Sequence, residues 1–293
     1  MNKFLELLNS KEIIILDGAM GTMLFSLGLK TGESPELWND IHPEYIGDIH
    51  QKYIDAGAQI IITNSFGGTN YRLKRYNLEN RVYELNKKAA QIAKAEADKA
   101  RKLVAVGGSV GPLGELLKPY GKIEYDEAKS AFAEQAKGLA DGCIDVFWIE
   151  TMGDLNEVNA AIEGIRSVSD LPISVTMSFD THGKTMMGVT PTKAADFLAK
   201  HDVNAIGGNC GRGPVELISA IKEMHELNLQ IPLVAKTNAG LPKMIDQQIV
   251  YDGTPEIMKD YALKVREAGA RLIGACCGST PDHIRAINET INN

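Results

Sequence analysis

DVFWIETMGDLNEVNAAIEGIRSVSDLPISVTMS, residues 145–178, is the stretch on which the fold turns. Residues 145–150 (DVFWIE) form a short apolar run that ends in an acid, brief enough for a buried strand and too brief for a helix. Over 154–168 the apolar residues return at helical spacing, through Leu155, Val158, Ile162 and Ile165, and 172–178 (PISVTMS) is again strand-like. Strand, helix and strand in such close succession make a βαβ unit, whose strands must lie parallel.

The same rhythm extends in both directions. Short apolar runs lie at 13–17, 59–63, 103–107, 204–208, 232–237 and 271–275, which with the central pair gives eight strand candidates. Helical spacing fills about 43–57, 80–101, 124–142, 191–200, 213–227, 254–269 and 281–291, and Thr190-Pro191, Thr254-Pro255 and Thr280-Pro281 place a capping residue before a proline at the first helical position. Eight βα units are the number that closes a barrel, so the chain reads as an α/β protein, a (β/α)8 TIM barrel over residues 1–293 in one domain. A doubly wound open sheet is the alternative architecture.

Composition narrows the function classes. With 293 residues, 44% of them hydrophobic, the chain can bury a large core, and 31 Lys+Arg against 38 Asp+Glu give a net charge of −7 without a basic run. That balance argues against nucleic-acid and anionic-membrane partners and leaves self-association open. No stretch approaches 18 apolar residues, and charges interrupt the N-terminal apolar residues, so a cytoplasmic protein with no leader or span is expected.

Barrel chemistry gathers where strands end. The positions that follow the runs are Asp17, Thr63-Asn64-Ser65, Ser109, Glu150, Asp180, Asn209-Cys210, Asn238 and Cys276-Cys277. Thr63, Ser65, Ser109 and Asp180 read equally well as caps or turn residues. Cys210 stands in GGNCGRG and Cys276-Cys277 in GACCGST, with glycines that let the backbone bend around an ion. Three thiolates leave one tetrahedral position open, as in a catalytic rather than a structural zinc site; the other reading is of small buried thiols at a barrel top. Cys143 reads as a core residue, and the six histidines as surface or capping residues. Gly107–Gly111 satisfies G-x-S-x-G, but Pro112 and Gly114 forbid the helix that a hydrolase elbow requires.

LDGAMGT (16–22), ITNSFGG (62–68), GSVGPLGE (108–115), Glu150-Thr151, GGNCG (207–211), KTNAGLP (236–242) and GACCGSTP (274–281) together resemble the homocysteine S-methyltransferase family over almost the whole chain. That family includes betaine-homocysteine methyltransferases and the homocysteine module of cobalamin-dependent methionine synthase. The resemblance implies a barrel with catalytic zinc at its C-terminal face, held by Cys210, Cys276 and Cys277. It implies that Asp17 and Glu150, with Thr63 and the backbone near Gly18, hold homocysteine, and that Asn238 can occupy the open zinc position before substrate arrives. Trp38 matches the tryptophan that betaine enzymes place near the donor, with Phe66, Tyr71 and Tyr120 as further aromatic candidates for a cage around a methylated cation.

Two positions depart from the animal betaine pattern: Gly67 and Thr151 stand where it has tyrosines. The PELWN and DTHGKTMMGVTP segments resemble a bacterial branch regarded as betaine methyltransferases. Betaine or dimethylsulfoniopropionate is the expected onium donor and methionine the product. S-methylmethionine is the alternative donor, and because the chain stops soon after the eighth unit, with no folate or cobalamin module, the homocysteine subunit of a split corrinoid-dependent methionine synthase is another reading.

Overall fold

The computed structural model describes residues 2–245 and 248–292. Among the described residues ten strands are formed: β1 (Ile14–Ile15), β2 (Ile60–Ile62), β3 (Ala105–Val110), β4 (Val146–Met152), β5 (Ile173–Met177), β6 (Ala205–Cys210), β7 (Leu233–Thr237), β8 (Pro242–Ile245), β9 (Gln248–Tyr251) and β10 (Ala270–Ala275). Eight of them pair in the order β1-β10-β7-β6-β5-β4-β3-β2. The two ends of that order meet through a parallel bridge between Leu16 and Ile60, where Asp17 N donates to Ile60 O at 3.0 Å and Gln59 N to Ile15 O at 2.7 Å. The sheet is a closed (β/α)8 barrel, which removes the open-sheet alternative.

Alternation along the strands explains why each run is apolar on both faces. In β4, Val146 and Trp148 join the interior cluster with Ile60, Ile62, Val234 and Leu272, while Phe147 and Ile149 join the larger cluster between barrel and helices. The helices at Pro43–Asp55, Val82–Lys99, Tyr125–Asp141, Leu155–Arg166, Pro191–Leu198, Pro214–His225, Pro255–Glu267 and Pro281–Asn292 fall within a few residues of the predicted spans. Thr190 and Thr254 cap as expected, accepting from Lys193 N and Ile257 N. At Thr280 the hydroxyl pairs instead with His283 Nδ1 at 2.9 Å.

Short helices in the loops after β1 and β2, at Gly21–Ser26, Trp38–Ile41 and Asn70–Leu73, were not foreseen, nor were a further helix and a hairpin. A helix at Lys3–Ser10, capped by the Asn2 side chain, pushes Phe4 and Leu7 into the interior cluster, and Asn2 Nδ2 donates to Asp145 O at 2.7 Å. Because Asp145 precedes β4, this helix closes the bottom of the barrel. An antiparallel hairpin, β8 with β9, interrupts the segment between β7 and the following helix.

Two side-chain expectations are corrected. Cys143 is exposed, because the helix ends at Gly142 and the chain takes a φ of +71° at Cys143 before Ile144 turns inward. His50 is neither a surface nor a capping residue: it is fully buried on the inner face of its helix, and burial pushes its imidazole down to about 4. No helix among the described residues is long and apolar enough to cross a membrane.

Candidate active site

Cys210 closes β6 with a φ of +61°, a left-handed conformation that costs a non-glycine residue on the order of 1–3 kcal/mol. Gly211 follows at +75°. The second arm of the site is a turn after β10: Cys276 N donates to Thr237 O at 2.6 Å, Ser279 Oγ donates to Cys276 O at 2.7 Å, and Gly278 takes a φ of +79°. This turn aims both neighbouring thiols the same way. The Sγ atoms of Cys210, Cys276 and Cys277 all lie within 4.8 Å of one another.

The three sulfurs are electrostatically coupled. Hydrogen bonds from Cys276 and Cys277 pull the Cys210 thiol well below its ordinary value, and the same contacts push Cys276 and Cys277 up. Three thiols crowded together resist joint ionisation, and a soft dication among them resolves that resistance. Groups around the sulfurs fit such an ion. Asn209 Nδ2 lies 3.9 Å from Cys276 Sγ, and Asn238, with Nδ2 donating to Gly211 O at 2.8 Å, leaves its buried Oδ1 without a partner among the described residues. Asn238 thus stands beside Cys210, where an oxygen ligand would be wanted.

The cysteines line one cleft of about 480 Å³ at the C-terminal face, shared with Gly18, Thr63, Ser109, Glu150 and Lys236. Glu150 is buried at the end of β4 and accepts from Ser109 Oγ at 2.6 Å. Burial pushes its carboxyl up to about 7, against the pull of Lys236 and Ser109. Asp17 is also buried, its Oδ1 accepting from Lys236 Nζ at 2.8 Å and its Oδ2 from Ile62 N at 2.6 Å. Burial raises its carboxyl and Lys236 opposes the shift. Thr63 Oγ1 accepts from Ser109 N at 2.9 Å and pairs with Ser65 Oγ at 2.6 Å. Gly18 is tight: a Cβ there would lie 2.5 Å from Ser279 Oγ.

Thus the structure brings together Cys210, Cys276, Cys277, Gly18, Thr63 and Glu150 in the lining, with Asp17 and Asn238 directly behind it. Trp38 lies elsewhere. It is buried outside the lining, against His42 and Tyr45 with ring centroids 4.7 and 5.7 Å away. Of the other aromatic candidates Phe66 lines the cleft, Tyr71 does not, and Tyr120 is largely exposed. Lys236 was missed, and Asn209 was named as a strand-end position without a role. The signal for Lys236 was a lysine inside the otherwise apolar run PLVAKT, which has to be buried and paired. Asn209 orients Thr151 through two hydrogen bonds, at 2.8 Å to its N and 2.7 Å to its Oγ1, as well as approaching Cys276.

A TIM barrel with three convergent thiols, paired buried acids and a cleft at its C-terminal face defines a metal-dependent barrel enzyme of thiol chemistry. The homocysteine S-methyltransferase family model matches residues 14–291. Methionine synthase of Mycobacterium tuberculosis (strain ATCC 25618 / H37Rv) is 31% identical over 300 residues, covering 97% of this chain, and that of Mycobacterium leprae (strain TN) is 31% identical over 299 residues, covering 96%. The chain spans about a quarter of the length of these relatives, at 25% and 24%. The metallated form of the homocysteine methyltransferase MmuM from Escherichia coli superposes with a TM-score of 0.81 at 25% identity, covering 98% of this chain and 99% of that one. The chain belongs to the homocysteine S-methyltransferase family and carries a cluster of three cysteines placed to hold a metal ion.

Proposed function

We propose that this chain, as one homocysteine-binding barrel in the cytoplasm, transfers a methyl group from a small onium donor, glycine betaine or dimethylsulfoniopropionate, to the thiolate of homocysteine, with zinc in the three-cysteine site. The observation that carries the reading is the convergence of Cys210, Cys276 and Cys277 on the cleft that also holds Glu150. Zinc, when bound, supplies the Lewis acidity that takes the substrate thiol from about 8.5 to below about 7, roughly 2 kcal/mol of differential stabilisation. Three thiolate ligands offset its charge, so the substrate sulfur keeps its nucleophilicity.

The chain's own residues orient the amino acid. Glu150, fixed by Ser109, faces the substrate ammonium, and Asp17, held rigid by Lys236 and Ile62 N, shares that charge. Asn238 is the group that yields to substrate at Cys210. The sulfur forms one S–C bond, the donor's C–N or C–S bond breaks, and the departing amine or sulfide keeps the electron pair. Onium charge and thiolate charge cancel, giving methionine. In this reading Trp38 supports the wall made by Pro35 and Glu36.

Incubation of purified zinc-loaded protein with homocysteine and each of betaine, dimethylsulfoniopropionate, S-methylmethionine and methylcobalamin tests the proposal. Methionine from betaine or dimethylsulfoniopropionate is the expected result. Turnover with methylcobalamin alone would make the chain the homocysteine part of a divided corrinoid-dependent synthase, the reading favoured by its match to a quarter of the methionine synthases.

A further inference from the structure

The cleft extends beyond the metal end into residues that the methyl-acceptor chemistry does not use. Glu36 comes from the loop after β1, and Phe66, Gly67, Arg72 and Arg75 from the loop after β2. Glu36 is only 5% exposed, its Oε1 accepting from Gly67 N at 2.7 Å and its Oε2 from Ser34 Oγ at 2.8 Å. A Cβ at Gly67 would stand 2.8 Å from Glu36 Oε1. Glycine at 67, where the animal betaine pattern has an aromatic ring, is what admits this carboxylate to the cleft wall.

Arg72 and Arg75 lie one helical turn apart across Asn70–Leu73 and Lys74–Tyr76, on one face. Their guanidinium groups converge: the position a Gly114 Cβ would take is 2.7 Å from Arg72 Nη1 and 3.0 Å from Arg75 Nη2. Arg72 rests over the Phe66 ring at 5.7 Å, and Arg75 Nη2 donates to Gly114 O at 3.1 Å. Buried Glu157 acts on Arg72 only at longer range. Among the described residues, neither arginine nor Glu36 has an oppositely charged group within 4.0 Å. Two guanidinium groups side by side at Gly114 on the cleft lining offer a carboxylate several N–H donors at once, and a buried carboxylate wants a cation.

We propose that this part of the cleft is a zwitterion site for the methyl donor, with Glu36 as counter-charge to the methylated cation and Arg72 with Arg75 gripping its carboxylate. The inference rests on the onium reading above and assigns the residues that hold the donor's two charges. It also replaces the aromatic cage: Coulomb attraction from Glu36 takes over from the ring faces missing at 67 and 151. Because the donor's positive charge fades as the methyl group leaves, attraction to Glu36 acts on the bound donor more than on the transition state. The grip on the carboxylate is the same in both. The arginines therefore act on donor KM and not on kcat, while Glu36 lowers donor KM at some cost to kcat.

Initial rates at saturating homocysteine test this in wild type, Arg72→Gln, Arg75→Gln, Glu36→Gln and Gly67→Ala, with betaine and dimethylsulfoniopropionate as donors and choline as an inhibitor lacking the carboxylate. The arginine variants are expected to raise donor KM about tenfold or more with kcat, homocysteine KM and zinc content retained. Choline inhibition should be the same in wild type and the arginine variants and weaker in Glu36→Gln. Gly67→Ala, which displaces the carboxylate, should mimic Glu36→Gln; should the buried Glu36→Gln fold poorly, Arg75→Gln at its exposed position still decides. Unchanged donor KM in both arginine variants of an enzyme that uses an onium donor would overturn the zwitterion site and leave the onium reading standing. Turnover with methylcobalamin alone would overturn both.

Discussion

Cys276 sits where three demands meet: its sulfur faces Cys210 and Cys277, its backbone N–H bonds to Thr237 O, and Asn209 approaches its Sγ at 3.9 Å. Replacing it by alanine removes one of three thiolates and leaves the backbone contacts in place. Stoichiometric zinc should be lost from Cys276→Ala while the fold survives, as elemental analysis and circular dichroism will read; full zinc retention would break the three-thiolate assignment. For homocysteine, Glu150→Gln is a cleaner probe than Asp17→Asn. The latter strands Lys236, buried at 3% exposure, and breaking such a pair costs about 3–5 kcal/mol of stability. Glu150→Gln keeps an acceptor for Ser109 and should weaken homocysteine by about 1.5–3 kcal/mol in a calorimetric titration, with zinc unchanged. A different acid supplies a pH signature. Glu157, buried beneath Leu113 N, has its carboxyl raised from 4.5 to about 7, chiefly by burial. The folded protein therefore binds more protons than the unfolded chain between those values, so stability falls as pH rises from about 4.5 to about 7 and stays reduced above. Glu157→Gln should flatten that dependence and stabilise the protein by about 1–3 kcal/mol at pH 8, seen by denaturant titration at pH 5 and pH 8. An unaltered pH profile would place the ionised carboxylate in a solvated setting.

At the scale of elements, what could be read from the sequence is what depends on local period. Each helix of the barrel announced itself through apolar spacing, five of the eight with a proline at the first helical position, and each strand through a run apolar on both faces. Site residues at strand ends, Cys210, Glu150 and Cys276 among them, followed directly from that reading. Partnerships across the barrel did not. That Lys236 meets Asp17 depends on the register of β7, β10 and β1, which no local pattern encodes. Trp38 shows the converse error, since an aromatic in the loop after β1 was expected in the cleft and instead packs on its own short helix through His42. The helix at Lys3–Ser10 is too short for its spacing to reveal that it plugs the barrel, and its burial can be tested. Phe4 is fully buried among interior residues, so Phe4→Ala should cost about 3–5 kcal/mol in denaturant unfolding. Zinc content and homocysteine KM should hold, because the plug and the cleft lie at opposite ends of the strands. A loss below about 1 kcal/mol would mean that the helix is dispensable for the core.

The whole molecule is a ring, and its metal site ties two arcs of it together. Cys210 ends β6, the other two thiols follow β10, and β7 runs between them. Beside that junction β10 pairs with β1, and β1 meets β2 through the Leu16–Ile60 bridge, with Ile62 N also donating to Asp17 Oδ2, so the seam between the two ends of the strand order lies on the same side of the barrel. A metal held by three thiolates from both sides of β7 resists any opening that separates β6 from β10. Binding to the folded state alone stabilises by RT ln(1 + [L]/Kd), about 4 kcal/mol when free zinc is a thousand times Kd. The adjacent Cys276 and Cys277 can also bind zinc in the unfolded chain, which trims that figure. At about 2–4 °C per kcal/mol for chains approaching this size, zinc should raise Tm by on the order of 5–10 °C over chelator-treated protein. The rise should grow with the logarithm of free zinc and should be absent from Cys276→Ala. Scanning calorimetry across a zinc-buffer series gives the measurement. A Tm indifferent to zinc in wild type would show that β6 and β10 are already locked by the sheet, with the metal serving chemistry alone.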